Sequence, residues 1–164
     1  MSTVSAVFPT RASAEVALHQ LEDRGFSDRQ ISLVMSDETR NSYVQNIHES
    51  SKVDEGAAAG AGLGGLAGAI AGMVLAAGTI AIPGLNLIVT GALVTSLAGL
   101  GAGALAGGLI GGLIGAGIPE HEAKVYEQEI RNGKFLVSVH AETAEQEAMA
   151  REVFNMNETS RRAA

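Results

Sequence analysis

An α+β fold is expected: a small three-stranded α/β sandwich, in the order β-α-β, insert, α-β-α, interrupted by a long apolar helical hairpin rich in glycine and alanine. Three observations predict it. Gly56 to Pro119, sixty-four residues, contains no Asp, Glu, Lys, Arg or His. Nineteen of the 21 glycines lie in that stretch. The two flanks carry every Asp, Glu, Lys and Arg of the chain and show the alternating and helical apolar periods of a water-facing domain. Charge is therefore segregated, and 164 residues suit one compact unit holding an insert.

Taken in order, Thr3 to Phe8 alternates with Val4, Ala6 and Phe8 on one face, and Pro9 ends the strand. Ala14, Ala17, Leu18 and Leu21 hold the 0, 3, 4, 7 spacing of a core-facing helix, which Gly25 closes before Phe26 packs back. Ser27 to Gln30 has capping-box spacing for a short turn, and Ile31 to Met35 reads as a second strand with Ile31, Leu33 and Met35 inward. Residues 1–36 thus form the first half of the domain. Residues 37–55 read as a polar linker, partly helical, in which Tyr43, Val44, Ile47 and Val53 are the sizeable apolar side chains.

Residues 56–118 are the expected glycine-zipper hairpin. Gly56, Gly60, Gly64, Gly68 and Gly72 recur every fourth residue, as do Gly99, Gly103, Gly107, Gly111 and Gly115. Positions four apart stack on nearly one helix face, so each ladder is a groove into which another backbone can settle. Two residues beyond the glycines come Leu66, Ile70 and Val74 in one ladder, and Leu105, Leu109 and Leu113 in the other, on the opposite side. Pro83 and Gly84 are read as the turn between helices spanning Gly56 to Ile82 and Leu85 to Gly117.

Residues 119–155 supply the second half. Pro119 suits a first helical turn, Glu120 and Glu122 suit the positive end of the helix dipole, and Ala123, Tyr126 and Ile130 form the stripe until Asn132-Gly133. Phe135, Val137 and Val139 alternate with Leu136, Ser138 and His140 as a strand. Thr143 and Gln146 then have capping-box spacing before a helix carrying Met149, Val153 and Phe154. A disordered tail is expected over 156–164. The sheet needs strands from both sides of the insert, because short strands without that pairing are marginal.

Gly25-Phe26 followed by Ile31-Ser32, a long Gly/Ala insert, Gly117-Ile118-Pro119-Glu120 with Glu122-Ala123 and Tyr126, and Gly133 before Val137-Ser138-Val139 carry a resemblance across most of the chain. The chain resembles a bacterial family of small general-stress proteins, induced by heat or low temperature, with a central glycine-zipper insert. The resemblance implies stress-linked expression and no defined chemical activity.

The residues themselves argue against chemistry. A net charge of −7 and the lack of a basic run disfavour nucleic acid, and the absence of cysteine excludes disulfides and thiolate sites. Gly60-Ala61-Gly62-Leu63-Gly64-Gly65 matches a dinucleotide-binding pattern, but no apolar strand precedes it and no acidic residue follows about twenty positions on. His19, His48, His121 and His140 are scattered, and Glu120 and Glu122 beside His121 point in different directions on a helix start. No catalytic residue, metal ligand, cofactor or small-molecule substrate is expected, and the protein is read as non-enzymatic. The ten ladder glycines, with the Pro83-Gly84 turn, are the candidate self-association residues.

Two functions are open for the hairpin. Both helices are long enough to cross a bilayer core of about 30 Å, so the first expectation is insertion into the cytoplasmic membrane with homo-oligomerisation, the domain facing the cytoplasm. The N-terminus shows no basic region followed by an apolar core, so no secretory signal is expected. The alternative is a soluble, self-assembling cytoplasmic protein, a large homo-oligomer, shell or filament, whose hairpin is buried between subunits.

Overall fold

The computed structural model describes residues 2–27, 29–42, 80–82, 87–91, 93 and 102–162. Strands β1 (Ser2–Phe8), β2 (Ile31–Ser36), β3 (Ile80–Ile82), β4 (Leu87–Gly91) and β5 (Phe135–Ala141) form one antiparallel sheet in the order β1-β5-β2-β4-β3. The longer helices among the described residues are α1 (Arg11–Asp23), α2 (Ala102–Gly115), α3 (Glu120–Arg131) and α4 (Ala144–Arg162).

The first unit forms for the reasons its sequence gives. Thr10 caps α1 by accepting from the Ser13 N–H at 3.3 Å, while Ser13 Oγ accepts from the Thr10 N–H at 3.4 Å. Ala14, Ala17, Leu18 and Leu21 are buried against the sheet, and the Glu15 carboxylate beside them accepts from Arg11 Nε at 2.7 Å. Gly25 closes the helix at φ 89°, where the Phe26 N–H reaches back to the Leu21 carbonyl at 3.1 Å. Gly117 and Gly133 end α2 and α3 in the same way, with Ile118 bonded to Leu113 and Lys134 to Glu129.

β5 lies between β1 and β2, so strands from both sides of the insert share the sheet, as expected. Val4, Ala6, Phe8, Ile31, Leu33, Met35, Phe135, Val137 and Val139 meet α1 and α4 on one face. The other face is also buried: Val34, Val89 and Leu136 pack with Leu93, Leu109, Leu113 and Ile118 beside Ala123 and Ile130 of α3. Hence the alternation read in β2 and β5 marks which helix layer each residue meets, since Ser32, Val34, Leu136 and Ser138 are buried as well.

Several expectations are corrected here. Among the described residues the sheet has five strands, because Ile80–Ile82 and Leu87–Gly91, expected to be helical, are strands paired with each other, and β4 also pairs with β2. Ile80, Ile82, Ile88, Val89 and Thr90 are β-branched, which favours a pleated surface over a helix. The chain does reverse between Ile82 and Leu87, but it joins strands; Pro83 and Gly84 lie outside the described residues. Of the expected helix from Leu85 to Gly117, the described residues are helical at Leu93 and over Ala102–Gly115, with a break at Gly108. The tail expected to be disordered is helical to Arg162, and Asn157 Nδ2 donates to Gln20 Oε1 of α1 at 2.9 Å. In the expected linker, residues 37–42 are helical, with the Thr39 N–H donating to Ser36 Oγ at 3.1 Å; residues 43–55 are outside the described set.

β4 joins the second layer through a close contact. Gly91 stands opposite Ser32 with φ 78°, and a Cβ there would lie 1.9 Å from the Ile31 carbonyl oxygen. Just beyond it, the buried Leu93 N–H donates to Ser32 Oγ at 2.9 Å, so a serine inside the sheet holds the chain as it leaves β4. Gly91→Ala should cost about 3 kcal/mol or more through overpacking and positive-φ strain together. Gly25→Ala meets nothing within 4 Å and carries only the strain, about 1–2 kcal/mol. Urea unfolding of the two variants measures the difference.

Acid should loosen α4 first. Its Glu152 carboxyl is held below its ordinary range by the Arg24 hydrogen bond, and Glu147 by Ser2 and then Arg151. A depressed folded value contributes stability that is complete above the ordinary carboxylate range and fades as pH falls through the folded value. Replacing both with Gln should therefore flatten the fall in thermal midpoint below about pH 4.

Candidate functional site

The candidate site is the outward side of α2. Six of its fourteen residues are glycine, so this helix has poor intrinsic propensity and depends on packing. That packing selects one side. Leu109 and Leu113, the bulky ridge opposite the ladder, are buried in the second core with Ile118, and Ile110 and Ala116 are half-buried against it. Gly111, Ile114 and Gly115 are turned the other way: Ile114 is 42% exposed, Gly115 is exposed, and a Cβ on Gly111 would meet nothing within 4 Å.

The end of α2 is fixed against the first strand. Thr3 Oγ1 donates to the Ala116 carbonyl at 2.7 Å, and Tyr126 of α3 donates from its hydroxyl to the Ser5 carbonyl at 3.3 Å. The outward side is thus built on a rigid joint between α2 and α3, although the side itself is short. Gly103 and Gly107 stand before the break at Gly108, Gly111 and Gly115 after it, so one straight helical line does not connect the four. Gly56, Gly60, Gly64, Gly68, Gly72 and Gly99 lie outside the described residues, as do Pro83 and Gly84. Gly108 doubles a ladder glycine, but Gly112 does the same after Gly111, so the sequence carries no signal for the break at Gly108.

The remaining polar groups form structural pairs. On α3, Lys124 lies 2.7 Å from Glu120 and holds that carboxyl below its ordinary range, and Arg131 lies 2.9 Å from Glu127. His121 is exposed beside Glu122, His19 is beside Glu22 on α1, and His140 is at the end of β5. Among the described residues no group of three or more His, Asp or Glu is placed to hold a metal ion. Ser5, Ser138 and Ser32 form a row across β1, β5 and β2, with Ser5 and Ser138 hydroxyls 2.9 Å apart, but the bonds they make are structural.

Orientation of α2 can be measured in the single chain. Leu113→Ala should cost about 2–5 kcal/mol, the range for a buried leucine. Ile114→Ala, one position on, should stay within about 1 kcal/mol because its side chain is partly in water. Equal losses in urea unfolding would contradict the orientation.

Residues 3–87 match the family model described as the heat induced stress protein YflT domain, just over half of the chain. The match runs from β1 to the first residue of β4 and stops before α2. No curated protein and no solved structure matches the chain.

Proposed function

The chain belongs to the heat induced stress protein YflT family, and from this premise we propose that it serves the stress response as a non-enzymatic, self-assembling cytoplasmic protein. Copies meet through the outward side of α2. One observation carries this reading: α2 buries Leu109 and Leu113 in its own domain, leaves Ile114 and Gly115 exposed, and leaves Gly111 half-buried. The same sequence rule, small residues every fourth position, gives Gly56 to Gly72 a matching stripe, although those residues lie outside the described set. Assembly therefore takes the place of membrane insertion as the leading reading.

Sheet pairing supports this order. Among the described residues no helix is long and apolar enough to cross a membrane. Because β2 and β4 are neighbours, the chain between residues 42 and 80 must leave and return on one side of any bilayer. That stretch has 37 residues, among them the polar or charged Gln45, Asn46, His48, Glu49, Ser50, Ser51, Lys52, Asp54, Glu55 and Thr79, whereas two helical crossings need roughly forty apolar ones.

Sedimentation velocity tests the reading. The wild-type chain should form species larger than one copy as concentration rises, and Ile114→Asp should raise the association midpoint about tenfold or more by placing a charge on the contact. A chain that stays single at every concentration, or an Ile114→Asp variant that assembles unchanged, would overturn it. Flotation of the wild-type protein with lipid vesicles would restore the membrane reading.

A further inference from the structure

We infer that Asn132-Gly133, the turn between α3 and β5, is a self-modification site: a deamidating pair that the folded domain holds silent and that loss of β5 sets free. Asn132 is exposed, and among the described residues its amide makes no hydrogen bond. Its backbone, at φ −81° and ψ 12°, has a conformation that most residues adopt at a turn, so the fold does not explain an asparagine there. Gly133 is explained. At φ 83° it ends α3 in a conformation that side chains rarely adopt. Glycine is also the neighbour that shields its own backbone nitrogen least, so the residue α3 needs for its end is the one that leaves the asparagine most open to attack.

The reaction needs only the pair and water. Hydroxide takes the Gly133 amide proton and the nitrogen attacks Asn132 Cγ; the N–Cγ bond closes a succinimide ring as the Cγ–Nδ2 bond breaks, and ammonia leaves with a proton from water. Water then opens the ring at either carbonyl, giving aspartate or isoaspartate. The folded chain blocks the first step. Ring closure requires the Gly133 nitrogen to swing to the Cβ side of the Cα–C bond, whereas a ψ of 12° holds it nearly eclipsed with the nitrogen of Asn132 itself. The Gly133 N–H is also engaged, donating to the Ile130 carbonyl at 3.0 Å. Its neighbours are tied as well: the Asn132 N–H bonds Gln128 at 3.0 Å, the Lys134 N–H bonds Glu129 at 3.1 Å, and the Lys134 ammonium pairs with the Glu129 carboxylate. Turning ψ of Asn132 therefore drags Lys134 and then Phe135, which is buried opposite Phe8 at the start of the central strand. Thr39 rests on the same turn, its Oγ1 3.7 Å from where a Cβ of Gly133 would stand. The reactive shape is out of reach while β5 is in place. Because the ammonia is lost, each conversion is permanent, and the turn keeps a chemical record of the time a chain has spent open.

Mass spectrometry of the full chain, incubated at neutral pH in buffer and in urea, tests the site. A glutamate-specific protease releases Ile130 to Glu142, a peptide with a single asparagine. In urea this peptide should gain the mass of amide-to-acid conversion and separate into aspartate and isoaspartate forms. In the folded chain the conversion should be at least about a hundredfold slower, since the turn must wait for a cooperative opening. Gly25→Ala, at the end of a helix in the opposite layer, leaves the turn untouched and lowers stability. It should raise the folded-state rate by the same factor as the unfolding constant measured in urea, about 5–30-fold. No conversion in urea overturns the site, and equal rates in urea and buffer overturn its protection by the fold. A Gly25→Ala rate that stays at the wild-type value while stability falls overturns the coupling to loss of β5.

Discussion

Two strands of this protein, β2 and β5, are buried on both sides, and the rest of the architecture follows from that requirement. A strand with both faces apolar needs a helix layer above and another below. The terminal parts of the chain supply α1 and α4 for one layer, and the other requires α2 and α3. α2 comes from the uncharged stretch, so part of that stretch belongs to the domain as core. Leu93, Leu109, Leu113 and Ile118 are wall material before they are anything else.

The two borders of the sheet are treated differently. His140 N–H bonds the Gln30 carbonyl at 2.8 Å, which sets the alternation of hydrogen-bonded pairs across all five strands. Followed outward, it directs the backbone groups of Thr3, Ser5 and Val7 off the β1 border and those of Ala81 off the β3 border. At Ser5 the outward carbonyl is taken up by Tyr126, so α3 guards one border of the sheet while packing on its face. The β3 border is three residues long and followed in sequence by proline, a residue that cannot donate to a further strand. Both devices discourage growth of the sheet by strand addition.

Much of the domain could be read from residue order. Gly25, Thr143 and Gly133 mark helix ends through local chemistry, and the Ala14-to-Leu21 stripe and the alternation in β5 are short-range patterns that packing confirms. The errors arose where composition spoke more loudly than pattern. A stretch so rich in Gly and Ala invites a helical reading throughout, yet Ile80-Ala81-Ile82 and Leu87-Ile88-Val89-Thr90 flanking Pro83-Gly84 carry the β-branched signature of a strand hairpin. The ladder was visible as spacing, but its break was not. What Gly108 does depends on its dihedral angles, and no periodicity distinguishes a glycine that fills a helix from one that bends it. Likewise Gly91 looks like any other glycine until its distance to the Ile31 carbonyl is known.

The interleaving of β5 between β1 and β2 reaches beyond the finished fold, to its birth on the ribosome. Ser5 and Ser138, hydroxyls in contact, are 133 residues apart along the chain. β1 and β2 emerge early and cannot close against each other, because their common neighbour is still to be made. The uncharged stretch emerges next, before the strand that completes the sheet it helps to cover. Throughout that interval its apolar side chains have only a partial core to join, and such species are prone to associate wrongly. Translation of this chain therefore includes a stage, closed only when β5 has emerged, in which the nascent sheet lacks its central strand.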